Sequence, residues 1–183
     1  IPKLLELLFL EGSIVSIDAM GTQKTIAQKI RSKKADYVLA LKGNHSTLHE
    51  DIALFLSSEI KKLCDKQRSK IVDSYVEHDK GRGRIELRTC YVTDKIDWLE
   101  QRTQWCDLKT IAMIESQTTM RGKTTTERRF YISSLDADAK QLSEVVRSHW
   151  AIENSLHWVL DVTLGEDNSR VRKDNAPENM AMV

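Results

Sequence analysis

Asp18 and Glu153 are the two side chains whose sequence surroundings point most clearly to chemistry. On a helix advancing about 100° per residue, Glu153 falls among Leu142, Val146, His149, Trp150, Leu156, His157 and Leu160, near the middle of an apolar stripe. A carboxylate there is desolvated unless it meets a cation or a metal ion. A salt bridge to an arginine such as Arg147 or Arg170 would satisfy it as well as a metal would. Asp18 closes an apolar run expected to be a strand, and open α/β sheets present ligands and catalytic groups at the carboxyl ends of strands. A turn-forming or helix-capping aspartate has the same signature. Carboxylates from two separate elements suit Mg²⁺ or Mn²⁺, which keep several waters and take one or two carboxylates plus substrate phosphate oxygens. Two such ions roughly 3.5 to 4 Å apart can activate an attacking oxygen and stabilise the leaving 3′ oxygen in phosphoryl transfer. Asp18 and Glu153 supply part of such a site, not all of it.

A second set of residues could meet phosphate. Residues 24–42 hold six basic side chains against Asp36, residues 80–88 hold four against Glu86, and residues 117–129 hold four against Glu127. Lys29, Arg31, Lys33, Lys34, Arg82, Arg84, Arg121 and Lys123 are the candidate phosphate-contacting residues from these stretches. Solvated helix faces and hairpins would give the same pattern. Other constellations are weaker. His45 and His49 have helical spacing but lack the glutamate of a zinc protease motif. Gly81-Arg82-Gly83-Arg84 lacks the third glycine and following helix of a dinucleotide loop, and reads as a basic hairpin turn. Trp150 and Trp158 could stack on a base, although aromatic residues on a helical stripe ordinarily serve the core.

The elements that must position these residues alternate early and then change character. A helix over 2–10, a strand over 13–17, a helix over 22–34 and a strand over 36–41 make a strand, helix, strand unit suited to a parallel pair. Thr47 and Glu50 have capping-box spacing, and Leu48, Ile52, Phe55, Leu56, Ile60 and Leu63 trace one face of a helix to about Cys64. Short β-rich runs follow at 71–77, 85–93, 110–115 and 128–132, with a polar loop expected over 117–126. A helical pattern resumes at Ala137 and runs to about Leu160. The expected architecture is an α/β core carrying an antiparallel β insertion, closed by a long helix.

Composition sets the outer limits. The 183 residues carry 28 Lys and Arg against 27 Asp and Glu, a net charge of +1, which leaves room for a basic face and a polyanionic partner. The apolar runs are soon broken by charge, which argues against a membrane span. Cys64, Cys90 and Cys106 are odd in number and have no metal-knuckle spacing, so a disulfide framework is not expected and a reducing, cytoplasmic compartment is. The sequence opens on Ile1 and closes within a helical pattern, which leads us to expect a fragment.

Two long blocks are specific enough to be familiar. Ser16-Ile17-Asp18-Ala19-Met20-Gly21-Thr22-Gln23 with Ala35-Asp36-Tyr37-Val38-Leu39-Ala40-Leu41-Lys42-Gly43-Asn44 resembles the second-aspartate region of bacterial insertion-sequence transposases of the H-repeat-associated type. The run from Arg147 through Glu153-Asn154-Ser155-Leu156-His157-Trp158 to Val162, followed by Gly165-Glu166-Asp167 and Asn175-Ala176-Pro177-Glu178-Asn179, resembles the glutamate region of the same family. Gly83-Arg84-Ile85-Glu86-Leu87-Arg88 resembles the hairpin between them.

The resemblance implies an RNase H-like core, incomplete here, with a DDE triad, an antiparallel β insertion and a long C-terminal catalytic helix. It makes Asp18 the second acid and Glu153 the third, both ligands of Mg²⁺ or Mn²⁺ in a two-metal site, with the first acid upstream of Ile1. Residues 1–66 would be the α/β part, 67–135 the insertion, and 136–183 the helix with the third acid and a basic tail. The implied function is metal-dependent DNA cleavage and strand transfer in transposition, with element ends and target DNA as partners, copies assembling on DNA, no membrane, and a bacterial cytoplasm or nucleoid setting. Two alternatives stay open: an inactive remnant that folds and binds DNA, and a metal-dependent nuclease outside transposition. The sequence departs from the family in two places. Arg82 stands where relatives commonly carry histidine, and Val146, His149 and Leu160 occupy positions of the wider Tyr, Arg and Lys signature, so phosphate-contact roles do not transfer to them.

Overall fold

Pro2 suits the first turn of a helix, because its missing N–H would be unsatisfied there anyway, and it opens the short α1 (Pro2–Leu7), which buries Leu5. The computed structural model describes residues 1–64, 71–81 and 84–151. The chain forms two units, Ile1–Val146 and Arg147–Val183. In the first unit β1 (Ile14–Ile17) lies parallel to β2 (Asp36–Leu41), and α2 (Lys24–Ser32) makes the crossover. The buried residues of α2, namely Ile26, Ala27 and Ile30, keep helical spacing, so one face meets the core. Tyr37, Val38, Leu39 and Leu41 of β2 are buried, as expected for a strand covered on both faces. The long α3 (Ser46–Cys64) buries Leu48, Ile52 and Leu56 four residues apart against the same core.

Four antiparallel strands complete the sheet: β3 (Asp73–Gly81), β4 (Arg84–Thr93), β5 (Thr110–Met120) and β6 (Lys123–Ser133). The order is β1-β2-β6-β5-β4-β3, so the last strand returns to pair with β2, Val38 opposite Ser133 and Leu41 opposite Phe130. The β-rich segment is therefore hydrogen-bonded into the sheet that carries Asp18. Ile111, Met113, Phe130 and Ile132 point to the face packed with Ile30, Ile52 and Leu56. The opposite pleat buries Cys90, Val92, Ala112 and Tyr131. The fourth helix, α4 (Ala139–Ala151), buries Ala139, Leu142, Ser143 and Val146 and starts with the Ala139 amide donating to the Asp73 carboxylate at 2.9 Å.

Several expected boundaries move. The polar loop anticipated over 117–126 is instead the outer half of the β5 and β6 hairpin, closed by Arg121 and Gly122 at φ 52° and 77°. Two consecutive positive φ values form the type I′ connection that matches strand twist, and glycine takes the second without strain. Pattern reading failed there because the segment has no buried face to impose alternation; its β-branched threonines were the available signal. The first helix stops at Leu7 rather than residue 10, α2 starts at Lys24 rather than residue 22, and β3 spans Asp73–Gly81 rather than 71–77. The expected run of the last helix to residue 160 falls partly outside the described residues. Among the described residues no helix is long and apolar enough to cross a membrane.

Candidate active site

Adjacent strands deliver Asp18 and Lys42 to one edge. Ile17 pairs with Leu39, so the chain leaves β1 and β2 side by side, and the Lys42 ammonium lies 3.4 Å from the Asp18 carboxylate. Both side chains are more than half exposed, at 64% and 56%. Asp18 precedes a single 3-10 turn, Ala19–Gly21, but its side chain makes no capping bond. The carboxylate therefore does not cap this turn and lies beside the Lys42 ammonium.

The two loops that follow the strands are clasped to each other. Thr22 donates its hydroxyl to the Ala40 carbonyl at 2.6 Å, and the Asn44 side-chain amide donates to the Ala19 carbonyl at 2.6 Å. His45 Nε2 lies 2.8 Å from the Thr22 carbonyl, which can only accept, so this nitrogen carries the proton. The His45 ring meets the buried Trp105 edge-on, with centroids 5.2 Å apart. Gly21 leaves no room for a side chain, since a Cβ would stand 2.4 Å from Ile17 Cγ2. These contacts hold the turn after Asp18 in one place, which a ligand-bearing carboxylate needs.

Beside the clasp is a cavity of about 270 Å³ at the starts of α2 and α3, lined among others by Lys24, Asn44, His45, Ser46, Thr47 and Gln101. Its lining is rich in donors, and among the described residues the buried Gln101 Oε1 has no hydrogen-bond partner. Lys24 is engaged with the Gln104 side chain at 2.5 Å.

Glu153 lies outside the described residues, as do its alternative partner Arg170 and the hairpin residue Arg82. Among the described residues no group of three His, Cys, Asp or Glu side chains could hold a metal ion. Asp18 supplies the type of donor a hard divalent cation takes, an exposed carboxylate oxygen on a clasped turn.

The candidate phosphate-contact residues divide by what they already touch. Lys29 pairs with Glu6 and Lys34 with Glu11, each at 2.9 Å, and Lys33 donates to the carbonyls of Glu6 and Leu8. Arg31 binds Asp36 and Asp107 and donates to the Ala35 carbonyl. The Asp107 hydrogen bond holds its guanidinium above its usual pKa, and the Lys29 ammonium holds the Glu6 carboxyl below the usual range. These four cations tie α2 and the turn after it to their neighbours. Arg84 pairs with Glu86 at 3.2 Å, while Arg121 and Lys123 have no ion pair among the described residues.

Register places the two hairpin ends side by side, since Arg84 lies opposite Met120, which lies opposite Lys123. Pairing with β2 ends at Phe130, and β6 continues outward for seven more residues to Lys123. At about 3.3 Å per residue the arm extends roughly 20 Å past the edge where Asp18 sits.

Two further titratable groups lie in the core. Tyr37 is buried and donates its hydroxyl to the Cys106 carbonyl at 2.9 Å, and burial pushes its pKa up. Burial also pushes the Cys90 thiol up to about 12, with Asp73, Glu77 and Asp138 adding to the effect. Both are packing groups rather than reactive ones.

Residues 1–183 match the family described as Transposase DDE domain. The chain is 41% identical over 182 residues to the Escherichia coli O157:H7 protein named "Putative transposase YncI", covering 97% of this chain and 45% of that protein. It is 37% identical over 183 residues to "H repeat-associated putative transposase YhhI" of Escherichia coli K12, covering 97% and 47%. A Xanthobacter autotrophicus protein named for its place in the dhlA 3′ region is 43% identical over 138 residues, covering 75% and 44%. The chain spans a little under half the length of these relatives. No solved structure matches it.

Proposed function

From a chain that belongs to the transposase DDE domain family, and within it to the H-repeat-associated type, we propose part of a catalytic domain that cleaves and joins DNA strands with divalent metal ions. The reading is carried by Asp18, a carboxylate at the end of a parallel strand, beside Lys42 and on a turn clasped in place. Asp18 is the second acid and Glu153 the third, and Mg²⁺ or Mn²⁺ between them would activate the attacking oxygen and neutralise the leaving one. The first acid belongs to an earlier strand of an RNase H-like sheet. The segments 1–66, 67–135 and 136–183 are then core, insertion and acid-bearing helix. DNA is the partner, and copies of the chain assemble on it. The exposed Arg121, Lys123 and Arg84 at the hairpin ends meet its backbone beyond the cleavage point, and Arg82 contributes with them. Lys29, Arg31, Lys33 and Lys34 contribute a more distant positive field, because their charges are already shared with acids or carbonyls.

The test is metal-dependent nicking of supercoiled plasmid. This chain alone should nick little, a chain extended upstream to include the first acid should nick, and Asp18→Ala or Glu153→Ala in the extended chain should abolish it. An extended chain that binds DNA but never cuts would favour an inactive remnant. Cleavage without strand joining would favour a nuclease outside transposition. Cutting that survives either alanine would refute the acid assignment.

A further inference from the structure

The pair formed by Asp18 and Lys42 raises a question that the reading above does not answer, namely what a lysine does 3.4 Å from a carboxylate meant for a metal ion. An ammonium 3.4 Å from one carboxylate oxygen repels a divalent cation held by the same carboxylate. Chance proximity of a flexible lysine to the carboxylate is a weak explanation, since both strands end at the same edge. The loops behind them are also locked by the bonds from Thr22 to Ala40 and from Asn44 to Ala19. Lys42 is free to leave, because its side chain is 64% exposed and its four-carbon stem is flexible. A phosphodiester drawn to a metal on Asp18 would lie within that stem's reach.

Resting on the assignment of Asp18 as a metal ligand, we propose that Lys42 is a positioning residue with two successive partners. Before metal binds, its ammonium neutralises the Asp18 carboxylate and competes with the ion. Once metal displaces it, the ammonium turns to a DNA backbone phosphate beside the reacting position. The competition keeps the site from gathering metal in the absence of DNA, and the released charge then favours DNA binding.

The experiment titrates Mn²⁺ into the chain, followed by paramagnetic broadening of the Met20, Gly21 and Gly43 amide resonances, and measures duplex affinity against salt with and without Mn²⁺. The variants are Lys42→Met, Asp18→Asn and, as a control for general loss of positive charge, Lys61→Met on the last turn of α3. An exposed ion pair is worth a factor of roughly two to five in an equilibrium constant, so Lys42→Met should bind Mn²⁺ tighter by about that factor. Its salt slope should match wild type without metal and fall by about one phosphate contact with Mn²⁺. Lys61→Met should change neither. If Asp18→Asn abolishes Mn²⁺ binding but Lys42→Met binds no tighter than wild type, or loses the same slope with and without metal, the two-partner role is wrong while the metal site stands. If Asp18→Asn leaves Mn²⁺ binding unchanged, the metal assignment itself fails and the role of Lys42 goes with it.

Discussion

The root and the outer arm of one sheet obey different rules. In β6 the residues Phe130 to Ser133 are buried while Lys123 to Arg128 are exposed, and β5 changes from buried to half-buried after Ile114. At the root, helices cover the sheet, and each fully buried aliphatic side chain contributes about 1.5 to 3 kcal/mol. The arm is held by its backbone ladder and by cross-strand pairs such as Glu115 with Arg128 at 2.7 Å and the hydroxyls of Thr119 and Thr124 at 2.8 Å. Such pairs are worth roughly 0.2 to 1 kcal/mol each. The root can therefore fix Asp18, while the arm tolerates charge and can present it.

The sharpest way to break this comparison is to truncate one side chain in each region. Leu39→Ala at the fully buried root should cost about 2 to 5 kcal/mol, whereas Ile85→Ala on the arm, where Ile85 is 52% exposed, should cost no more than about 0.5 kcal/mol. Urea denaturation of both variants decides it, and comparable losses would mean that the arm has a hidden cover.

Cys90 marks the lower limit of the arm. Its pKa is raised by burial, so the folded state holds the thiol proton more tightly than the unfolded chain does. Its contribution is present below pH about 9 and is lost progressively as pH rises toward 12. At about 1.4 kcal/mol per pH unit, stability should fall by roughly 2 kcal/mol between pH 9 and 10.5 from this group. Cys90→Ala carries a constant cavity cost, so the difference between its denaturation free energy and that of wild type should shrink by that amount over the interval. A difference independent of pH would place the thiol in water.

Gly21 tests the fixed end of the comparison. Gly21→Ala brings a methyl against the stiff Ile17 side chain and should cost about 1 to 3 kcal/mol, with chemical-shift changes concentrated at Asp18 and Thr22. Unperturbed shifts at those residues would mean the turn is not held by close packing. The smallest effect belongs to the arm's tip. Arg121→Asn places a residue tolerant of positive φ in the turn and should stabilise the chain by a few tenths of a kcal/mol. Duplex affinity should fall, with the salt slope reduced by about one. Unchanged DNA affinity would remove Arg121 from the binding surface.

Legibility in the sequence followed the same division. The parallel unit could be read because β2 is a continuous apolar run and α2 spaces Ile26 and Ile30 by four; the expected strand at 36–41 matches β2 (Asp36–Leu41). The outer hairpin could not, since residues exposed on both faces carry no period. The place of Asp18 after an apolar strand is legible in the sequence, but the opposing Lys42 and the bonds of Thr22, Asn44 and His45 depend on two loops meeting in space. For the same reason the partners of Lys29 and Arg31 were hidden: Glu6 is 23 positions away and Asp107 is 76. The helical stripe is legible at Leu142 and Val146, which α4 buries, while Glu153 lies outside the described residues.

The central claim is that Asp18 and Glu153 serve one metal-binding region. Anomalous diffraction from crystals of the chain soaked in Mn²⁺ addresses it most directly. The expected result is an ion about 2.0 to 2.2 Å from a carboxylate oxygen of each residue, with the Lys42 ammonium moved off Asp18. A Glu153 carboxylate paired with Arg147 or Arg170 on a face away from Asp18, with no ion at the strand edge, would contradict it.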